Sequence, residues 1–229
     1  MRDENAPDRR MAIPALAGMG VASALTSCAG EDENVSATED LMREHGVLRR
    51  VLIVYREVAG LLRAGIGIDA GALVDAADLF RAFGEDYHER KLEEQRVFPA
   101  VKKVGGPAAA LIDMLIVQHN RGREINLFLI ERARAGRVAS ADVEPVARAL
   151  ESFSRMYEKH AAIEDTVIFQ AWKKSLSQHE LNEASEEFEQ IERDQFKGDR
   201  FDLGVSRITA IEQRLGLADL GRCTAPPPR

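Results

Sequence analysis

The chain is poor in the residues that staple, stack or span. Of its 229 residues two are cysteine, Cys28 and Cys223. Both lie outside the stretch that the hydrophobic pattern marks as the folded core, and neither belongs to a Cys-based metal motif. A disulfide framework and a thiolate zinc site are therefore not expected. One tryptophan, three tyrosines and few β-branched runs argue against a sheet protein, while long stretches of Ala, Leu, Glu and Arg favour helix. Basic charge is in deficit, 31 Lys and Arg against 38 Asp and Glu for a net −7. With no basic stripe interleaved with aromatics, no nucleic-acid surface is indicated. No nucleophile motif and no phosphate loop occurs. An apolar content of 45% is enough for one domain with a sizeable core and appendages.

What the chain does have is histidine and glutamate where leucine would normally stand, and it has them twice. The first half reads Glu44-His45, then Tyr87-His88-Glu89 and Glu93-Glu94-x-x-Val97-Phe98-Pro99. The second reads Gln118-His119, then His160-x-x-x-Glu164-Asp165-x-x-Ile168-Phe169. Leu41, His45, Leu48, Leu52 and Tyr55 step by four and three along one apolar seam, and Leu111, Leu115, His119, Gly122, Ile125 and Leu129 make another. Leu150, Ser154, Tyr157, His160, Glu164 and Val167 keep the same rhythm, and His160 and Glu164, four apart, lie about 40° from each other on one face. Buried unpaired carboxylates are costly. A bundle that points several at its own axis needs positive charge there, and two helix pairs bringing His and carboxylate to one centre is how a four-helix bundle builds a two-metal site.

Residues 36–175 are accordingly read as four helices. Ser36-x-x-Glu39 is a capping box that opens the first, which Gly65-Ile66-Gly67 ends. The second starts near Asp69, carries Leu73, Ala76, Phe80, Phe83 and Tyr87 on its inner face, and should bend or end near Pro99. Gly105-Gly106-Pro107 turns the chain into the third, and Ser140 or Asp142 opens the fourth, which reaches about Lys174. Residues 176–220 form a helical extension. Its capping box Ser177-x-x-Glu180 leads an apolar face of Leu181, Ala184, Phe188 and Ile191, and a shorter helix carries Val205, Ile208, Ile211 and Leu215. The outside of the bundle is the simplest partner for these faces. His179, early in a polar helix, is expected at the surface. The Pro-rich end, 221–229, reads as a disordered tail.

The pattern His45, His88-Glu89, Glu93-Glu94-x-x-Val-Phe-Pro99, His119 and His160-x-x-x-Glu164 resembles the hemerythrin family of HHE cation-binding domains over about residues 37 to 175. The resemblance implies an all-α fold, an antiparallel four-helix bundle holding two non-haem iron ions. It implies Glu93 and Glu164 as bridging carboxylates and His45, His119 and His160 as terminal imidazole ligands, donors that suit iron. On the second helix two readings stand. The family places His four residues before the bridging Glu, where this chain has Glu89. His88 is five before Glu93, about 140° away in a regular helix, unless a π-bulge returns it to the same face. Where the oxygen carriers have a second histidine on the third helix, position 123 is arginine. The ferritin-like alternative needs Glu-x-x-His twice, and only Glu85-x-x-His88 provides it. The resemblance implies binding of O₂, NO or peroxide in sensing, scavenging or protection. A di-iron oxidase or peroxide-reducing enzyme and an iron-handling protein are the other readings.

Residues 1–35 read as an export signal followed by an acidic linker. Arg9-Arg10 resembles a twin-arginine signal, the apolar stretch Met11 to Leu25 is short of a membrane span, and Leu25-Thr26-Ser27-Cys28 resembles a lipobox. The expectation is an exported, periplasmic or membrane-anchored protein, tethered through Cys28.

Overall fold

The computed structural model describes residues 35–196 and 200–228. The expected export segment with Cys28 lies outside them.

Helix α1, Ala37–Arg63, begins where the Ser36 hydroxyl accepts the Glu39 amide at 3.3 Å. It ends in a Schellman closure: Ile66 N–H donates to Leu61 O and Gly65 N–H to Leu62 O, with Gly65 at φ 68°. Helix α2 opens at Ala70–Leu79, with Asp69 accepting the Ala72 amide at 3.1 Å. It widens into π-helical turns over Phe80–Val97 and finishes as Phe98–Val104. Pro99 does not stop it. The ring sits in the first turn after the wide stretch, where the hydrogen-bond register is already changing and its missing N–H disturbs little. One helical turn, Gly106–Ala109, leads into α3, Ile112–Ala133. Leu111, placed in the seam by spacing, precedes the first turn of α3 and stays exposed. Helix α4 runs from Val143–Ile163 through a π turn at Glu164–Ile168 to Phe169–Lys174.

Helix α1 lies along α4, α2 along α3, and α3 along α4, joined by short connections as in an antiparallel four-helix bundle. Two apolar clusters fill it. One holds Val51, Tyr55, Leu73, Phe80 and Phe153; the other holds Leu41, Leu92, Phe98, Ile112 and Phe169. The histidines and glutamates occupy the level between them.

The extension packs on the outside. In α5, Gln178–Phe196, the Ser177 capping box closes in both directions, and Phe188 stacks on Trp172 with rings 5.7 Å apart. In α6, Arg200–Arg214, Ile208 and Ile211 are buried against α1 and α2. Arg50 on α1 donates to Glu212 at 2.9 and 2.5 Å, fixing that contact. His179 is 83% exposed. Among the described residues no helix is long and apolar enough to cross a membrane.

Candidate metal centre

Four imidazoles and two carboxylates converge in the middle layer, every one at most 3% exposed. Nε2 of His45 lies 3.0 Å from Nε2 of His88, and Nε2 of His119 lies 3.0 Å from Nε2 of His160. Glu93 stands between the pairs, with Oε1 3.3 Å from His88 Nε2 and Oε2 3.3 Å from His119 Nε2. Glu164 does the same from α4, its Oε2 3.0 Å from His160 Nε2 and 3.6 Å from His45 Nε2, its Oε1 3.8 Å from His119 Nε2.

The outward nitrogen of each ring fixes its tautomer. His45 Nδ1 donates to Asp165 Oδ1 at 2.7 Å and His88 Nδ1 to Glu44 Oε2 at 2.6 Å. His119 Nδ1 donates to Glu94 Oε1 at 2.8 Å and His160 Nδ1 to Gln118 Oε1 at 2.9 Å. Asp165, Glu44 and Glu94 accept through carboxylates and Gln118 through its amide oxygen, so each Nδ1 carries hydrogen and each Nε2 is the nitrogen turned toward the middle of the cluster. The bonds run in a ring around the bundle, for α1 holds the ring of α2, α2 that of α3, α3 that of α4, and α4 that of α1. Each acceptor is a chain neighbour of a central residue, yet each serves a histidine on the next helix. Sequence reasoning therefore missed Glu44, Glu94, Gln118 and Asp165 as partners, although the doubled polar residues beside His45, Glu93, His119 and Glu164 were the available signal.

The repeated Glu-acid-x-x-Val/Ile-Phe has a structural meaning. Phe98 N–H donates to Glu93 O and Phe169 N–H to Glu164 O, each five residues back, so the motif is a π turn that starts on the central glutamate. Its phenylalanine stacks on the imidazole that its second acid holds: Phe98 on His119 at 5.6 Å and Phe169 on His45 at 5.4 Å. Four residues beyond each of these histidines comes an arginine that clamps the same acid. Arg49 donates to Asp165, and Arg123 to Glu94 at 2.6 Å.

The wide turns of α2 carry His88 into the cluster across a five-residue spacing, while Glu89 faces away from its middle. Glu89 Oε1 accepts from the Tyr157 hydroxyl at 2.6 Å, and its Oε2 accepts from Arg123 at 2.9 Å. Glu89, Glu94 and His119 also approach one another closely, but the Arg123 guanidinium already supplies the cation there. Gly122 makes this possible: a Cβ at that position would collide with the Tyr157 hydroxyl.

Electrostatics makes the middle layer demand positive charge. All four carboxylate oxygens of Glu93 and Glu164 are buried with no hydrogen-bond partner among the described residues. Burial, and then the Glu93 charge, push the Glu164 carboxyl well above its usual range. Burial acts the same way on Glu93, but His88 and His119 outweigh it and hold Glu93 well below that range. Burial alone would lower His88 and His119; Glu93 and Glu44 raise the first, and Glu89, Glu93 and Glu94 raise the second. Burial and the neighbouring His119 drive His160 down to about 3. Lone pairs 3.0 Å apart and bare carboxylates repel one another unless cations or protons lie between them. Imidazole nitrogen with carboxylate oxygen is a donor set for iron, zinc or manganese, and among the described residues no thiolate joins the cluster to favour softer ions.

A family model described as the hemerythrin HHE cation binding domain matches residues 36–172. The chain belongs to the hemerythrin family. An uncharacterized protein of Mycobacterium bovis and uncharacterized proteins of two Mycobacterium tuberculosis strains are each 40% identical over 195 residues, covering 83% of this chain and 74% of the relative. No solved structure matches the chain. As a hemerythrin-family chain it is a metal-binding protein of the iron type, and its buried His and Glu groups fit that role.

Proposed function

We propose that the middle layer holds two iron ions. His45 and His88 would bind one, His119 and His160 the other, with Glu93 and Glu164 bridging them. The observation that carries this is the four carboxylate oxygens without a hydrogen-bond partner among the described residues, facing two pairs of inward imidazole nitrogens. The reading takes His88 rather than Glu89 as the donor from α2, because both oxygens of Glu89 are already engaged by Tyr157 and Arg123. When bound, a two-iron centre would supply redox electrons and an open coordination position for a small ligand. The protein then works by binding O₂, NO or peroxide, in sensing, scavenging or protection.

Reversible oxygen carriage fits the surroundings poorly. Carboxylates hold three of the four imidazoles and would strengthen them as donors to a metal, which favours the ferric state. The reduced protein is therefore expected to oxidise within minutes in air and to stay oxidised on degassing. Iron analysis together with visible spectra through repeated cycles of air and vacuum tests this. Two irons per chain with a one-way change supports the proposal, and a spectrum that returns over many cycles restores the carrier reading. Steady turnover with an electron donor would make it an oxidase or peroxide-reducing enzyme, and many irons per chain an iron-handling protein.

We also propose that the protein is exported and tethered through an acylated Cys28, on the sequence pattern of residues 1–35 alone. One acyl chain anchors only marginally, so more than one is expected. Mass spectrometry of protein from its native host should find Cys28 at the mature N-terminus; an intact segment 1–28 contradicts this.

A further inference from the structure

Each half of the site has an arginine four residues after a central histidine, Arg49 after His45 and Arg123 after His119, but the two are held differently. Two acids grip Arg123. It donates to Glu94 at 2.6 Å and to Glu89 at 2.9 Å, and its side chain is 13% exposed. Glu89 directly follows His88, whereas the residue that directly follows His160 is Ala161. Arg49 is therefore left with one acid, Asp165, and its side chain is 40% exposed.

A small cavity lies on this less guarded side. Its lining includes Arg49 and Ala161 but no residue of α3, and it has free space for about one water-sized molecule next to His45, His88 and Glu164. Among the residues that line it, every one except Arg49 is at most 6% exposed. An arginine stem can cover an apolar space while its head stays in water. Arg49 is thus the wall between cavity and solvent, and its ion pair with Asp165 closes the seam between α1 and α4. One ion pair with a partly exposed partner is a weak tie. We propose that small ligands reach the iron centre between α1 and α4 past Arg49, with the Arg49–Asp165 pair as the latch. In the other half Glu89 gives Arg123 the second acid that Arg49 lacks, and that side stays shut.

The inference rests on the two-iron reading, and its test separates the two. Iron content is measured first in the wild type, Arg49→Ala and Ala161→Glu. The oxidised, iron-loaded proteins are then mixed rapidly with azide and the reduced ones with NO, and association and dissociation rates are read separately. A gate changes both rates by the same factor and leaves the equilibrium constant alone. Arg49→Ala removes the latch and should speed both rates about fivefold for either ligand, while Ala161→Glu supplies the second acid and should slow both about fivefold. Azide slowed by Arg49→Ala with NO unaffected makes Arg49 an attractor of anions and overturns the inference. Unchanged rates, a changed equilibrium constant or loss of iron from Arg49→Ala overturn it as well. If Ala161→Glu loses iron, Arg49→Ala decides by the same criteria. In all these cases two irons in the wild type leave the iron centre standing, whereas wild-type protein without iron overturns both readings.

Discussion

Helices α1 and α2 do with one set of residues what α3 and α4 do with another. Glu44, His45, Arg49, His88, Glu93, Glu94 and Phe98 correspond in role to Gln118, His119, Arg123, His160, Glu164, Asp165 and Phe169. The correspondence survives a change of spacing. His160 and Glu164 are four apart on a regular turn and meet at 3.0 Å, while His88 and Glu93 are five apart and meet at 3.3 Å across wide turns. Backbone winding thus absorbs a one-residue shift that would otherwise turn the ring away. The electrostatics is not equal. In the first half both rings are held by carboxylates, Asp165 and Glu44, whereas in the second the neutral Gln118 holds His160. Glu93 and then Glu44 hold His88 above its ordinary value, while burial and then His119 hold His160 below its own.

The largest expected effect comes from the residues the halves share. Glu93 and Glu164 each reach both imidazole pairs, so Glu93→Ala or Glu164→Ala should empty both positions rather than one. A ligand present at a thousand times its dissociation constant stabilises by about 4 kcal/mol, so the iron-loaded melting temperature should fall by about 10 °C. Loss of a single iron from either variant would mean that the carboxylates do not bridge. Next comes the second-layer inequality. Glu44→Gln makes the first half resemble the second and should weaken iron binding about tenfold, while Gln118→Glu should strengthen it. Equal affinities for both variants in a chelator competition would show that the acceptor's charge is immaterial.

A smaller effect separates the halves by pH. Glu85, which faces Asn126 at 2.6 Å, has its carboxyl pushed by burial and then by Glu89 to about 7. A carboxyl raised above its unfolded value gives stability that is complete below about pH 4.5 and lost as pH rises through about 7. Glu85→Gln keeps an oxygen for Asn126 and cannot ionise. Its melting temperature should match wild type near pH 4.5 and exceed it by several degrees near pH 8, where roughly 3 kcal/mol is at stake. An equal gain at both values would point to packing instead. Smallest of all, His179→Ala should change neither iron content nor stability, because its ring is 83% exposed.

The bundle was legible because its seams keep a helical period, and the central residues because polar side chains interrupt those seams in a repeated order. What stayed hidden depends on contacts between helices. Glu44 lies beside His45 in the chain but serves His88, so no spacing along one helix announces it. That His88 rather than Glu89 meets Glu93 depends on helix winding, which a periodicity of 3.6 takes as constant. Tyr157 reads as one more seam residue, and only the gap above Gly122 reveals why its hydroxyl reaches Glu89. Pro99 reads as a bend or an end, yet it falls where the wide turns relax, and the helix runs on to Val104.

Iron stoichiometry of the purified chain, measured on wild type beside His88→Ala and His160→Ala, tests the central claim most directly. Two matched halves sharing two carboxylates predict about two irons per chain in the wild type and an equal loss in both variants, with Glu89→Gln retaining both. One iron in the wild type, or a loss confined to one of the two histidine variants, would contradict it.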